Sequence, residues 1–263
     1  MHLKNIRESI IYMTHYSKSS HVGTCLSIVE ILYVLYFKIM KVDPENPLKP
    51  DRDKFILSKG HGSAALYSTL AERGFFSKEI LNRYYIDDGI LPGHLDMKAV
   101  PGIELSTGSL GHGLSVGVGM SIANMLDNNP GNIYVLLGDG ECNEGSVWEA
   151  AMLASHNKLN NITAIIDCNK LQGFGNTKDI INQENLAERW KSFGWDVLEV
   201  DGHSIFDLES CFNQPATMNP KVIIAHTVKG KGVSFMEDKL EWHYKSPNTQ
   251  ELEKALKELS RAL

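Results

Sequence analysis

Two strongly apolar runs in the middle of the chain each end in a short polar segment. The run NIYVLL leads into Gly138-Asp139-Gly140, and the run ITAIID leads into Asn169. In open parallel sheets ligands bind beyond the carboxyl ends of the strands, so we expect Asp139 and Asn169 to be neighbours there. One carboxylate, one amide oxygen and the backbone carbonyl of Leu171 would form a sparse oxygen set. Such a set suits Mg2+, which completes its octahedral shell with phosphate oxygens and water.

The glycines on either side of Asp139 make the same sheet edge suitable for binding a diphosphate. Gly138 and Gly140 allow the backbone to approach a ligand closely, and the N–H groups at the start of the following helix favour anions. Taken alone, Gly-Asp-Gly is better explained as a simple β-turn. The second strand end, with Asn169 thirty positions later, is what favours a metal and diphosphate site.

Strand and helix patterns alternate along most of the chain. Continuous apolar runs are typical of parallel strands covered on both faces. The alternation therefore predicts an α/β fold, a doubly wound and mostly parallel sheet with helices on both faces. The predicted strands are 54–58, 132–137, 162–167, 195–200 and 222–227, and the predicted helices are 3–14, 26–40, 63–73, 114–127, 146–158 and 205–211.

Three further segments have local interpretations. Ser146 and Glu149 have the spacing of a capping box at the start of the helix that follows Gly-Asp-Gly. Residues 87–113 are rich in Gly, Pro and Asp and show no periodic element, which is typical of a functional or mobile loop. The segment 229–232, KGKG, lacks the spacing and the Ser/Thr of a phosphate-binding P-loop, so we interpret it as a mobile loop.

Bulk properties exclude several classes of protein. With 263 residues and no evident linker, the chain fits one large domain. A net charge of −6 gives no basic surface for nucleic acid or an anionic membrane. The longest apolar run, 28–40, is too short to span a bilayer. Four widely spaced cysteines and the lack of a signal peptide indicate the reduced cytoplasm, and no Cys/His cluster has the spacing of a zinc site.

Four ordered segments resemble the transketolase family. They are SKGHGSAALY, then GHLD with PGIELSTGSLGHGLSVGVGMS, then GDGECNEGSVWEAAMLASHNKLNNITAIIDCNKLQGFG, and finally HTVKGKGVSFMED with EWH, and together they extend roughly over residues 5–245. The third segment matches the thiamine diphosphate signature of that family. The resemblance implies a thiamine diphosphate-binding fold, with thiamine diphosphate and Mg2+, or Ca2+ or Mn2+, as cofactors. It also implies transfer of a two-carbon ketol unit from a ketose or ketose phosphate to an aldehyde.

The same resemblance assigns roles to individual residues. Imidazoles can donate to phosphates or hydroxyls and can move protons near neutral pH, which is why histidines are candidates for these steps. Glu144 and Glu149 correspond to an acidic path between paired active sites, and we favour Glu144 because capping already explains Glu149. The implied metal ligands are Asp139, Asn169 and Leu171; the implied cofactor contacts are His61, Gly108, Leu110, Gly138, Asp139, Gly140, Glu141, Glu144, Asn169 and His243; and the implied catalytic histidines are His21, His61, His94 and His243.

Other residues receive no such role or depart from the family pattern. His112 stands where LGQG is the commoner form, and it adds a titratable ring near the expected cofactor. In SSHVGTCLS, Ser20 replaces a glycine and Cys25 a serine of the usual SGHPGGSLS form. The remaining histidines are interpreted as turn, surface or packing residues: His2, His15, His156, His203 and His226.

Transketolases have three domains, and the whole chain, residues 1–263, corresponds to the first, which binds the diphosphate. The resemblance therefore implies the N-terminal subunit of a split transketolase, without a pyrimidine-binding or C-terminal domain of its own. A complementary C-terminal subunit would supply both domains, including the glutamate that contacts the aminopyrimidine ring, in a 2+2 heterotetramer.

Two alternative functions stay open at the level of the sequence. One is a related thiamine enzyme of specialised metabolism, which passes a two-carbon or acyl unit to another acceptor. The other is a non-catalytic cofactor-binding module. A 2-oxoacid dehydrogenase subunit fits the histidine segments less well.

Overall fold

The computed structural model describes residues 1–261, which form an open α/β structure around a five-stranded parallel sheet. The strands of this sheet are β1 (Lys54–Leu57), β2 (Ile133–Gly138), β3 (Ile162–Cys168), β6 (Asp196–Asp201) and β7 (Lys221–His226), and a small hairpin consists of β4 (Leu171–Gln172) and β5 (Gly175–Asn176). The helices are α1 (His2–Tyr16), α2 (Val22–Ser27), α3 (Val29–Val34), α4 (Ser63–Arg73), α5 (Gly113–Leu126), α6 (Gly145–His156), α7 (Thr177–Ile180), α8 (Leu186–Ser192), α9 (Ile205–Phe212) and α10 (Thr249–Arg261).

The large sheet has the strand order β1-β2-β3-β7-β6, and every pair in it is parallel. Alternate strand residues point to opposite faces, as in β1, where Phe55 and Leu57 belong to one apolar cluster and Ile56 to the other. Helices α1–α4, α9 and α10 cover the first face, and α5, α6 and α8 cover the second. Burial on both faces explains the continuous apolar runs, and it confirms the predicted doubly wound, mostly parallel fold.

Most of the predicted elements are confirmed. All five predicted strands are present, as are the helices predicted over 3–14, 63–73, 114–127 and 205–211. Helix α4 ends at Gly74, whose left-handed φ of 97° is the conformation expected of a glycine C-cap. Residues 87–112 contain no helix or strand, and only an isolated bridge between Tyr84 and Leu91 involves this loop.

The prediction of one continuous helix over 26–40 is wrong. Helix α2 ends at Ser27, Ile28 leaves the helical conformation with φ −107° and ψ 7°, and α3 is followed by a π-helical turn over 35–39. The Ser27 hydroxyl donates to the carboxylate of Asp167 at 2.7 Å, so the break lies where this segment contacts the end of β3. The apolar periodicity of the sequence carries no information about this tertiary contact.

The predicted capping box is also wrong. The N-cap of α6 is Glu144, with no side-chain capping bond, and Glu149 is exposed on the helix surface. The Ser146 hydroxyl instead donates to the Gly111 carbonyl at 2.9 Å. Because Glu144 is the N-cap and α6 begins at Gly145, Ser146 lies inside the first turn rather than at the N-cap.

Some elements have no counterpart among the sequence predictions: the 3₁₀ helix over 78–83, the β4–β5 hairpin, and α7, α8 and α10. Helix α10 packs on α1 through Leu252, Ala255 and Leu259. Among the helices of residues 1–261, none combines the length and the apolar character needed to cross a bilayer.

Candidate active site

Every site residue predicted from the sequence lines one cleft of about 500 Å³ at the carboxyl ends of β1, β2 and β3. Residues that are far apart in sequence are thus brought together by the parallel sheet and its loops. The lining includes His21, His61, His94, Gly108, Leu110, Gly138, Asp139, Gly140, Glu141, Glu144, Asn169, Leu171 and His243.

A larger cavity of about 670 Å³ lies between α1 and residues 78–86. Its lining is mainly Tyr12, Met13, Tyr16, Leu81 and Tyr84, and a lysine, Lys78, is its one ionisable group other than tyrosine. Size therefore does not identify the candidate active site. The convergence of ionisable groups with shifted pKa values does, and it occurs in the smaller cleft.

The register between β2 and β3 sets the distance between the predicted oxygen ligands. Gly138 is paired with Asp167, so Asp139 and Asn169 emerge side by side at the sheet edge. The Asp139 carboxylate accepts hydrogen bonds from the N–H groups of Gly140 and Lys170, both at 2.7 Å. The Asn169 amide oxygen accepts the Leu171 N–H at 3.0 Å. The expected proximity of Asp139 and Asn169 is therefore confirmed.

The donor set at this edge fits a hard divalent cation. Oxygens of a carboxylate, an amide and a carbonyl each keep a free lone pair beside the bonds they already accept, and hard oxygens are the ligands that Mg2+ prefers. Burial, and then the charge of Asp167, raise the pKa of Asp139 to about 6. Within residues 1–261 there is no group of three or more His, Cys, Asp or Glu side chains that could hold a metal, and this set needs only one.

Beneath the cleft lies a buried ion pair that sequence reasoning missed. Lys59 follows β1 and is 1% exposed, and its ammonium contacts the fully buried carboxylate of Asp167. Asp167 also accepts hydrogen bonds from Ser27, Thr227 and the side-chain amide of Asn169. Burial alone would raise the pKa of Asp167, but Lys59 and these donors lower it, so the carboxylate is ionised. Asp167 thereby fixes the amide of Asn169, whose oxygen accepts the Leu171 N–H.

Lys229 is the second lysine that the sequence does not assign to the site. The pattern of its segment predicts a mobile loop, but Lys229 is 1% exposed and lines the cleft. Its ammonium donates to the Leu171 carbonyl at 3.2 Å and lies 2.9 Å from Nδ1 of His243. Burial, followed by the charge of Lys59, lowers the pKa of Lys229 to about 8. Two lysines facing one concave site create a demand for anionic charge, which a diphosphate supplies.

The four predicted histidines form one imidazole cluster. The ring centroid of His21 lies 5.0 Å from that of His61, 4.9 Å from that of His243 and 6.3 Å from that of His94. Burial, and then neighbouring positive charge, lower the pKa of His21 to about 4 and that of His243 to about 3. The pKa of His61 is also well below its usual value, mainly because the ring is buried. These three rings are neutral at pH 7, and each can both donate and accept a hydrogen bond.

Two buried polar atoms of the cleft side chains are left for a ligand. Nδ1 of His21 and Nε2 of Gln172 have no hydrogen-bond partner within residues 1–261. His21 is also held with a left-handed backbone, φ 73°, and its N–H donates to the His243 carbonyl at 2.9 Å. Unpaired buried groups and sparsely populated backbone conformations tend to cluster at functional sites.

The acidic residues after Gly-Asp-Gly have different roles. Glu141 is buried, and its carboxylate accepts hydrogen bonds from Ser58, from the Gly111 N–H at 2.8 Å and from the Gly138 N–H at 3.0 Å. The Glu141 carboxylate therefore holds the loops around the cleft together. Glu144 is exposed at the rim. His112 is exposed and hydrogen-bonds the Leu110 carbonyl at 2.9 Å, and the cleft lining does not include it.

An oxygen-rich strand edge, buried lysines and neutral imidazoles in one cleft define a diphosphate- and metal-binding α/β domain. The model of the family described as transketolase, thiamine diphosphate binding domain, matches residues 2–260. The chain therefore belongs to the transketolase family, as a thiamine diphosphate-binding domain, and this confirms the resemblance found in the sequence.

Similar proteins of comparable length are named as transketolase subunits. The chain is 44% identical over 259 residues to one subunit of the apulose-4-phosphate transketolase of Phocaeicola vulgatus, covering 98% of this chain and 92% of that protein. It is 46% identical over 225 residues to the 6-deoxy-6-sulfo-D-fructose transketolase subunit SqwG of a Clostridium species, covering 85% and 82%.

Longer transketolases match over part of their length. Human transketolase is 41% identical over 243 residues, which are 91% of this chain and 38% of that protein. Among solved structures, a transketolase from Pichia stipitis superposes with a TM-score of 0.92 at 28% identity, covering 98% of this chain and 40% of that one. A Campylobacter jejuni transketolase superposes with a TM-score of 0.88 at 30% identity, and this chain spans 42% of its length.

Proposed function

We propose that this chain is the diphosphate-binding subunit of a two-component transketolase that transfers a two-carbon ketol unit from a ketose to an aldehyde. The observation that carries this proposal is the joint arrangement in one cleft of Asp139, Asn169 and the Leu171 carbonyl with Lys229 and the imidazole cluster. We also propose that the chain, residues 1–263, is a single diphosphate-binding domain.

In this proposal some residues of the chain bind the metal and others bind the diphosphate. Asp139, Asn169 and the Leu171 carbonyl would hold Mg2+, or Ca2+ or Mn2+ in its place. Lys229 and the N–H groups near Gly140 would face the diphosphate, and His61 would donate to its oxygens. The Lys229 ammonium donates to the Leu171 carbonyl, so it would lie beside a diphosphate bound at this oxygen set. Thiamine diphosphate, when bound, supplies the electron sink for cleaving the carbon–carbon bond next to a carbonyl.

The remaining histidines act on the substrate. His21 and His94 bind hydroxyl groups of the donor sugar, and His243 faces both the cofactor and the substrate. A ring that is neutral at pH 7 can accept a proton from a hydroxyl and later return it, which is general acid–base catalysis.

A complementary subunit completes the enzyme in this proposal. It would supply the pyrimidine-binding and C-terminal domains in a 2+2 heterotetramer. The names of the relatives as transketolase subunits support the existence of such a partner. Those names also mention a phosphate and a sulfonated sugar, so the donor we favour is a ketose with a terminal phosphate or sulfonate. Four free cysteines, three of them buried, support the cytoplasm as the compartment.

Calorimetric titration with thiamine diphosphate, with and without Mg2+, tests the cofactor site directly. The assembled complex should bind in a Mg2+-dependent manner, and Asp139→Asn should weaken binding at least about 10-fold, as loss of a charged ligand implies. Asp127→Asn, an exposed carboxylate at the end of α5, is the matched control and should bind like wild type. Binding that is indifferent to both Mg2+ and Asp139 would overturn the proposal.

Turnover separates the enzyme from a non-catalytic module. The complex should release the shortened aldehyde from a ketose phosphate and elongate an added aldehyde acceptor. Tight cofactor binding with no turnover across ketose phosphates and sulfonates would favour the module.

A further inference from the structure

A buried ionic cluster lies behind the loop that carries Lys229. Glu30 of α3 is 7% exposed and pairs with Arg7 of α1, 6% exposed, at 2.5 Å. The second oxygen of Glu30 is 3.0 Å from Nδ1 of His203, in the turn after β6. Burial alone would raise the pKa of Glu30, but His203 and Arg7 lower it, so the carboxylate is charged. We define the Glu30 cluster as Arg7, Glu30 and His203.

The hydrogen bonds of His203 fix its tautomer. Nε2 accepts the backbone N–H of Val228 at 2.8 Å, so this nitrogen carries a lone pair. Nδ1 then carries the proton and donates it to Glu30. The ring therefore bridges a buried carboxylate and a backbone N–H, and it does so as a neutral imidazole.

The Glu30 cluster holds the backbone on both sides of Lys229. His203 binds the N–H of Val228 on one side, and Arg7 Nε donates to the Lys231 carbonyl at 3.1 Å on the other. Between these two points the Lys229 side chain extends into the cleft toward the Leu171 carbonyl and His243. The ammonium has to reach its partners from a four-carbon stem, so its position depends on where this backbone is held.

We propose that His203 is a positioning residue for the diphosphate site, because its unprotonated Nε2 holds the Val228 N–H and so sets the direction in which Lys229 enters the cleft. The inference rests on the proposed binding of thiamine diphosphate. It gives a role to a histidine whose sequence context indicates only an ordinary turn residue. It also makes α1, α3 and the turn after β6 part of the support for the cofactor site.

Two substitutions at His203 test the two hydrogen bonds of the imidazole separately. The asparagine of His203→Asn places its amide near the position of Nδ1, so it keeps the donor to Glu30 and removes the acceptor for Val228. The glutamine of His203→Gln reaches the position of Nε2 with a carbonyl oxygen, so it keeps the acceptor. His226→Asn is the matched control, because His226 also pairs with a carboxylate, Glu199, at 2.9 Å but on the exposed side of β7.

The experiment measures the dissociation constant of thiamine diphosphate with Mg2+ for the complex assembled with the partner subunit. We expect His203→Asn to weaken binding roughly 10–100-fold, as for other groups that orient ligands from behind, and His203→Gln to stay within about threefold of wild type. Amide hydrogen exchange of a peptide spanning 226–233 should speed up in His203→Asn and remain slow in His203→Gln. His226→Asn should change neither quantity.

The outcomes separate this inference from the proposed function. If wild type does not bind thiamine diphosphate, the proposed function fails, and the inference with it. If wild type binds and His203→Asn binds equally well, or if both His203 variants are weakened alike, the inference alone is overturned. If His203→Asn does not fold, the test uses His203→Gln alone. Rapid amide exchange over 226–233 in that variant, together with wild-type affinity for thiamine diphosphate, would show that the Val228 contact does not position Lys229.

Discussion

The ion pair beneath the cleft gives a prediction whose size can be worked out from the structure. Asp167→Asn removes the negative charge next to the Lys59 ammonium, which is 1% exposed. The new amide can turn its oxygen toward Ser27 and Asn169, so their hydrogen bonds survive. The main cost is the uncompensated lysine, about 3–5 kcal/mol for a broken buried pair. This is a large part of the roughly 5–15 kcal/mol that stabilises a typical domain.

A double-mutant cycle measures this pair separately from the hydrogen bonds. Lys59→Met alone leaves Asp167 with neutral donors, and the double variant removes both charges. We expect the double variant to be more stable than the sum of the two single losses by about 2 kcal/mol, because neither charge is then left alone. Urea unfolding at pH 7, followed by circular dichroism and extrapolated to water, gives the free energies of unfolding, and the m-value checks that the unfolding reaction is unchanged.

Two results would refute this reasoning. The first is a loss of less than about 1 kcal/mol in Asp167→Asn, which would mean that water or rearrangement solvates Lys59. The second is additivity of the single losses within about 0.5 kcal/mol, which would mean that the two charges do not interact.

Three further predictions concern packing, pH and substrate. Gly119→Ala, on the exposed face of α5, should raise the free energy of unfolding by about 0.5–1 kcal/mol in urea, because nothing lies within 4 Å of the added carbon. Gly117→Ala should lower it, because its Cβ would lie 2.6 Å from a valine of β2. Equal effects of the two substitutions would contradict this prediction. Because the pKa values of His21 and His243 are about 4 and 3 when folded and 6.5 when unfolded, the unfolded chain binds protons first, so the free energy of unfolding should fall as the pH drops from 6.5 toward 4. Each ring should contribute less than about 1.4 kcal/mol per pH unit because both are partly exposed, and His243→Asn should flatten the slope. Tyr244, 58% exposed with its ring 4.6 Å from that of His243, should affect the donor sugar, so Tyr244→Ala should raise KM for the ketose and leave cofactor affinity unchanged; an unaltered KM would exclude Tyr244 from the substrate path.

The parts of the site that could be predicted from sequence lie at the ends of buried strands. The apolar runs before Asp139 and Asn169 can be recognised locally, and parallel pairing then places both residues at one edge. No tertiary information is needed for that step. The ordered segments of the family resemblance add the histidines and the glycine loop of Gly108 and Leu110, which the cleft indeed brings together.

The groups that escaped prediction depend on distant contacts. Asp167 looks like the end of a strand, and its role becomes visible only when Lys59, over a hundred positions away, is seen beside it. Lys229 follows a strand in a glycine-rich segment that looks solvent-exposed, yet it is buried, and residues of α1 and the turn after β6 hold the backbone on both sides of it. Similarly, the capping-box spacing is present, but the Ser146 hydroxyl donates to the carbonyl of Gly111, 35 positions away, and the N-cap of α6 is Glu144. Spacing rules describe neighbours along the chain and do not include such contacts.

The left-handed backbone at residue 21 has a consequence for how variants of this site should be interpreted. A side chain branched at its β-carbon would oppose the φ of 73°, so its cost would combine backbone strain with loss of the imidazole. Asparagine tolerates this conformation and has no imidazole. Replacement by asparagine therefore isolates the chemistry of the ring, and comparison with valine at the same position measures the energetic cost of the turn itself.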